Sequence, residues 1–178
     1  MVKINIVKKL LYIVALVTFL VFNISIPIRI EAESIEIQAT NLDVFEHRTV
    51  QISGWYRFNL FSDDRFRGQI TVTGHDLTYN EMLDVRFRSH LGVFRGVMAY
   101  SKINENENNR IQTHLFGVIE SGLLFRNAII VLFEYNVMED GTRASSRSSS
   151  ISTSPVIILN VNTYEEAKKR LKSMNVQF

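Results

Sequence analysis

Two predicted turns hold the residues whose types are most often used for acid–base or metal chemistry: Glu46, His47, His75 and Asp76. If the surrounding strands form a simple meander, these four side chains lie at one end of the fold. No His-x-His or His-Glu-x-x-His spacing occurs among the histidines. Polar residues in turns usually serve solvation and local hydrogen bonding. We therefore predict no catalytic residue and no metal site.

Other catalytic signatures are missing from the sequence. There is no Gly-x-Ser-x-Gly segment and no glycine-rich phosphate loop. The chain has no cysteine, which excludes a thiolate nucleophile, a Cys-ligated zinc and a disulfide. Glu134 lies in an apolar run, where burial would raise its pKa. The favoured interpretation is an outward glutamate near the C-terminal helix or a cross-strand partner of an arginine. We expect no cofactor, and an enzyme is the least supported class.

Arginine interleaved with aromatic residues is the most suggestive pattern. In three successive predicted strands, arginines fall opposite the apolar residues, and Arg95 and Phe61 extend the same face. Planar guanidinium groups beside exposed rings suit anionic polymers or a protein partner. The alternative is that water-facing strands simply need long polar side chains. The candidate binding residues are Arg57, Arg67, Arg86, Arg88 and Trp55.

The stretch from Gln51 to Gly74 must position these arginines. Apolar residues recur at every second position on both sides of a polar segment, Ser62 to Arg65. Because successive side chains leave a strand on opposite faces, this pattern predicts two half-buried strands joined by a turn. Similar short runs, first at Ile35–Ala39 and last at Val156–Val161, predict about eight strands in all.

The C-terminal part of the sequence changes period. Thr163 followed by Glu166 fits a capping box, which predicts a helix over residues 163–175. The run Asn127–Met138 is apolar on both faces, so we expect the helix to cover its outer side. The predicted fold class is all-β, an antiparallel β-sandwich with one C-terminal helix; the alternative is a small up-and-down β-barrel.

The amino end has the features of an export signal. Lys3, Lys8 and Lys9 precede an apolar run, and Ala32 supplies a small residue where a signal peptidase could cut. We predict a signal peptide or an uncleaved membrane anchor over residues 1–32 and one β-rich domain over 33–178. Loss of four basic residues and one acidic residue changes the net charge from +2 to −1. Such a domain is expected outside the cytoplasm and not on nucleic acid.

Two function classes follow from this architecture. The first is an exported, non-catalytic domain that binds an envelope polymer or a protein partner through the arginines, with membrane contact only through an uncleaved N-terminal segment. The second is a small-ligand carrier, because the meander, the Gly54-Trp55 start and the terminal helix are similar in outline to lipocalin-type barrels. In that family the tryptophan usually stands two residues after the glycine, whereas in this chain Trp55 follows Gly54 directly. A continuous internal cavity of several hundred cubic ångströms, lined by Tyr56, Phe58, Ile70 and Val131, would favour this second class over the first.

Overall fold

The structure is a computed structural model, and it describes residues 2–23, 25–38, 41–59, 62–90, 92–104, 110–137, 143–146 and 154–173. Two short 3₁₀ turns, Asp76–Tyr79 and Leu123–Phe125, lie between strands. The helices and strands are α1 (Val2–Asn23), β1 (Ser25–Gln38), β2 (Asn41–Arg57), β3 (Asp64–Val72), β4 (Glu81–Met82), β5 (Val85–His90), β6 (Val93–Asn104), β7 (Arg110–Ser121), β8 (Ile129–Leu132), β9 (Glu134–Val137), β10 (Arg143–Ser146), β11 (Val156–Leu159) and α2 (Tyr164–Ser173).

Eight of these strands form one closed antiparallel barrel. The order is β6-β5-β3-β2-β1-β11-β8-β7, and β7 pairs with β6 again. The prediction of an all-β fold is confirmed, and so is the barrel alternative. The β-sandwich is wrong, because pairing of β6 with both β5 and β7 joins the strands into a single sheet around one interior. β4 pairs with β6 outside the ring, and β9 and β10 form a separate ribbon.

The central hairpin is confirmed as β2 and β3. Inward residues such as Val50, Ile52 and Phe66 are fully buried, whereas the alternate residues of β2 from Gln51 to Arg57 are exposed. Gly54 and Gly68 face each other across the pair. A Cβ atom on Gly68 would lie 2.2 Å from the Ser53 carbonyl oxygen, so this close approach of two backbones requires glycine.

Aromatic side chains fill the barrel interior. Phe125, in the second 3₁₀ turn, projects inward, and its ring centroid lies 4.9 Å from that of Phe66 and 5.6 Å from that of Phe87. Tyr100 donates a hydrogen bond to the Ile70 carbonyl at 2.5 Å. The largest fully buried side chains are Tyr56, Tyr100, Phe66, Phe87, Phe125, Ile35, Ile52, Ile70, Met98, Ile119, Ile129 and Ile130.

Helix α2 packs on the outside of the barrel, as predicted. Ala167 and Leu171 are buried in a second apolar cluster that includes Ile129 of β8. The Glu166 amide donates to Thr163 Oγ1 at 3.3 Å, and the Glu166 carboxylate accepts from the Asn162 amide at 3.2 Å. These reciprocal bonds satisfy backbone donors at the helix start. The predicted end at residue 175 lies outside the described residues.

Several strands in the C-terminal half differ from the sequence expectation. The Asn127–Met138 run divides into β8 and β9 at Phe133. The serine-rich segment, predicted as a loop, contains β10, while residues 147–153 lie outside the described part.

Strand β7 contains a bulge. Phe116 is an extra residue relative to β6, because Met98 of β6 pairs with Gly117 and the next residue, Ala99, pairs with Leu115. This bulge reverses the alternation, so Phe116 is buried and Ile111 is 72% exposed.

The first strand is longer than predicted. It was expected to begin at Ile35, but β1 begins at Ser25 and pairs with β2 from Arg57 onward. Ile28 and Ala32 are 8% and 2% exposed and belong to the barrel interior. The predicted boundary after residue 32 therefore lies in the middle of a paired strand. Removal of the leader stays a prediction.

Candidate functional site: an arginine face on the outside of the barrel

Six arginines and one tryptophan share the outer surface of four neighbouring strands. All seven side chains are exposed, because the residues between them in β2, β3, β5 and β6 point into the interior. The predicted candidates Arg57, Arg67, Arg86, Arg88 and Trp55 are all among them. Their role in binding stays a prediction. We call this surface the arginine face: Arg57, Arg65, Arg67, Arg86, Arg88, Arg95 and Trp55.

The centre of the arginine face is a row of three arginines across three strands. Arg57 of β2 is opposite Arg65 of β3, and Arg65 is opposite Arg86 of β5. Like charges that are directly opposite each other destabilise a sheet. Within the described part of the chain, no carboxylate forms an ion pair with any of the three. The row is therefore a concentrated positive charge that has no counterion among the residues that the structure describes.

The other three arginines of the face have carboxylate neighbours. Arg67 Nε lies 3.9 Å from Asp84 Oδ1, and Arg88 Nε lies 3.5 Å from Asp63 Oδ2. Both arginine side chains are 85% exposed, so these pairs contribute little to stability. Arg95 makes a closer contact, 2.6 Å, with the buried Glu120. Three carboxylates thus face six arginines, and the surface keeps a net positive charge.

A shallow groove runs along one side of the face. Strand β5 pairs with β6 only from Arg88 to His90, so the two strands separate beyond this point. The resulting groove has a volume of about 540 Å³, and Arg86, Arg88 and Arg95 line it together with Asp63 and Asp84. Guanidinium groups on both walls can bind one anionic group from two sides.

Trp55 lies at the edge of the arginine row. Its cross-strand neighbours are Pro27 and Arg67, and its side chain is 57% exposed. The amino-terminal strand does not cover this ring, since β1 is beside β2 in the sheet and not on top of it. An exposed indole next to guanidinium groups is typical of recognition surfaces.

Sequence reasoning missed Arg65, which it assigned to the turn between the two strands. The structure begins β3 at Asp64, two residues before the predicted start at Phe66. The Asp64 carboxylate points inward, where it accepts hydrogen bonds from the Tyr56 hydroxyl at 3.1 Å and from the Asn59 amide at 2.8 Å. Burial, and then the neighbouring Asp64 charge, raise the pKa of Tyr56 above its ordinary range. Arg65 and Arg67 are two residues apart and therefore lie on the same face of a strand. This spacing was the signal that could have assigned Arg65 to the outer face.

The polar residues considered for acid–base chemistry do not converge as a group. His75 Nε2 lies 2.9 Å from Glu36 Oε2, and Arg48 Nε donates to the same oxygen at 2.7 Å. Arg48 also pairs with Glu46. His47, in contrast, is exposed beside the Phe45 ring, and Asp76 is exposed in the first 3₁₀ turn. Among the described residues, no group of His, Asp or Glu side chains is placed to hold a metal ion.

The Glu36 cluster makes stability depend on pH. Burial alone would raise the pKa of Glu36, but the hydrogen bonds and charges of His75 and Arg48 outweigh it and hold the pKa below 4.5. A lowered folded-state pKa stabilises the fold above the unfolded-state value, and this contribution is lost as pH falls through the folded-state pKa. We expect the free energy of unfolding to fall on acidification below about pH 4.5.

Urea denaturation at a series of pH values measures this effect. Glu36→Gln should be less stable than the unmodified chain at neutral pH and should show a shallower decrease towards acid. Glu33→Gln, at an exposed position three residues earlier, is the matched control. Equal pH profiles for Glu36→Gln and the unmodified chain would contradict the assigned contacts.

The four residues whose shared cavity would favour the carrier interpretation do not lie together. Tyr56 and Ile70 are buried in the interior cluster, and Phe58 packs against that cluster. Val131 instead packs in the outer cluster with the residues of α2. These four side chains therefore do not line one cavity, because the barrel wall separates Val131 from the others.

The chain shows neither a membrane-spanning helix in its described part nor a similarity to known proteins. Across the residues that the structure describes, no helix combines the length and hydropathy needed to cross a bilayer. Comparisons with protein-family models, with curated proteins and with solved structures find no match.

Proposed function

We propose that this chain is an exported, non-catalytic β-barrel domain that binds an anionic envelope component or an acidic partner protein through the arginine face. The observation that carries the proposal is the row Arg57, Arg65 and Arg86. Three adjacent strands place like charges opposite each other, without an internal ion pair among the described residues. An external anion would remove this repulsion and form charge-assisted hydrogen bonds to the guanidinium groups.

The alternative classes have less support. The barrel fold agrees in outline with a carrier, but large aromatic side chains occupy the interior. For an enzyme, the polar residues that could act in catalysis do not share one site. Some belong to the inner Glu36 cluster, and the others lie on the outer surface. Surface binding by the arginine face therefore remains the better proposal.

Titration with a charged and a neutral form of one polymer tests the proposal. The full chain is kept in zwitterionic detergent micelles and titrated with dextran sulfate and with unmodified dextran. We expect binding to dextran sulfate only. Each arginine near an anionic surface contributes about 1 kcal/mol, so the triple variant Arg57→Gln, Arg65→Gln and Arg86→Gln should bind roughly 100-fold more weakly.

A matched variant removes the same charge from elsewhere. Lys102→Gln, Arg126→Gln and Lys169→Gln change three exposed cations that lie outside the arginine face. This control should keep most of the affinity, and thermal unfolding should show that both triple variants fold. Equal losses in the two variants would mean that net charge alone drives binding, which contradicts a specific arginine face.

A further inference from the structure

Helix α1 exposes an unusually large apolar surface. Every side chain from Ile6 to Phe19 is exposed, and the apolar ones occupy all sides of the helix. The large apolar side chains in this range are between 52% and 77% exposed. Contiguous apolar surface of this extent marks a contact with a membrane or a partner. The only charges in this range are Lys8 and Lys9, near the amino end.

The sheet register connects the end of α1 to the arginine row. The helix ends at Asn23 and β1 begins at Ser25. Ser25 is opposite Arg57, which continues the same cross-strand line through Arg65 to Arg86. Directly opposite residues have Cα atoms about 5 Å apart. The three arginines therefore begin about one strand spacing from the point where the apolar helix joins the barrel.

We infer that the anionic partner of the arginine face is the headgroup surface of a lipid bilayer in which α1 is embedded. This inference rests on the proposed function and names its binding partner. A helix that is apolar on all sides is covered best by lipid hydrocarbon. Guanidinium groups at its end then meet lipid phosphates, which they bind in a bidentate manner. Trp55 lies beside the row, and tryptophan is enriched where a membrane meets water.

Two signals together give stable membrane attachment. The apolar helix contributes burial of apolar surface, and the neighbouring basic patch adds electrostatic attraction to anionic lipids. The arrangement requires that α1 stay attached to the barrel. Cleavage after Ala32 would remove Ser25–Ala32, which is the paired first part of β1. The structure thus favours the retained anchor over the cleaved signal peptide.

The single tryptophan of the chain provides a direct probe of this contact. The full chain is reconstituted into vesicles of phosphatidylcholine alone and into vesicles that also contain phosphatidylglycerol. Both vesicle types carry brominated acyl chains, which quench tryptophan fluorescence on contact. The two vesicle types offer α1 the same hydrocarbon and differ only in lipid charge, so a difference between them reports on the arginine face. We expect several-fold stronger quenching of Trp55 in the anionic vesicles, and high salt should reverse it.

The triple variant Arg57→Gln, Arg65→Gln and Arg86→Gln should show only the weak quenching of the neutral vesicles. The control variant Lys102→Gln, Arg126→Gln and Lys169→Gln should quench like the unmodified chain. Equal quenching in neutral and anionic vesicles would overturn the inference, as would quenching that the arginine substitutions leave unchanged. If quenching fails but dextran sulfate still binds in micelles, the partner is a soluble anionic molecule and the proposed function stands. Failure of both overturns both.

Discussion

A chain that begins at Glu33 will not form the barrel, whereas a chain that begins at Ser25 will. The shorter chain lacks Ser25–Ala32, which pairs with β2 from Val50 to Arg57. It loses the buried Ile28 and Ala32 and the half-buried Ile26 and Ile30. Each buried isoleucine contributes about 1.5–3 kcal/mol. The total approaches the whole stability of a typical domain, about 5–15 kcal/mol.

Circular dichroism and urea denaturation of the two chains measure this difference. The chain from Ser25 should show a β-sheet spectrum and one cooperative transition, and the chain from Glu33 should show neither. A cooperative transition of the Glu33 chain, at the same urea concentration as the Ser25 chain, would contradict the pairing of β1. It would also restore residue 32 as a workable boundary between leader and domain.

Substitution of Phe125 by alanine should be the most destabilising single change in the barrel interior. Phe125 is 2% exposed, and its ring contacts those of Tyr56, Phe66 and Phe87. It enters the interior from the turn between β7 and β8, where its φ is 62°. Removal of a buried phenylalanine ring leaves a cavity and costs about 3–5 kcal/mol. Urea denaturation should show this as a lower midpoint.

Leu123 in the same turn is the matched control. Its side chain is 52% exposed, so Leu123→Ala should change the free energy of unfolding by less than about 0.5 kcal/mol. Similar small losses for Phe125→Ala and Leu123→Ala would mean that the Phe125 ring does not fill the barrel. An unchanged slope of unfolding against urea would show that the compactness of both variants is preserved.

Alternation along each strand was enough to predict the class of the fold but not its closure. Val50, Ile52 and Phe66 point inward in a barrel as they would in a sandwich, so the pattern is the same for both. Closure depends on β6 pairing with both β5 and β7, which is a property of the whole sheet. A bulge such as that at Phe116 is likewise invisible to a strict period of two.

The start of β1 was missed for a different reason. Ile26, Ile28, Ile30 and Ala32 alternate with Pro27, Arg29 and Glu31, which is itself a strand pattern. The basic and apolar residues that precede it have the features of an export signal, and the small Ala32 suggested a cleavage site within the strand. A proline is compatible with this strand because strand starts and edges tolerate it.

The candidate site was predictable where it depended on parity within one strand. Arg57 and Trp55 alternate with Tyr56, and Arg86 and Arg88 alternate with Phe87, so their shared outer face followed from the sequence. The row through Arg65 needed the register between strands, which no local pattern contains. The contact of Glu36 with His75 joins residues 39 positions apart and was equally out of reach.

The most direct test of the arginine row is the salt dependence of dextran sulfate binding in micelles. Binding to a dense polyanion releases counterions, so the logarithm of affinity falls linearly with the logarithm of salt concentration. Loss of three contacting arginines should make the slope shallower by about 2–3, while the control variant keeps the slope of the unmodified chain. Identical slopes for all three proteins would show that Arg57, Arg65 and Arg86 do not contact the anion.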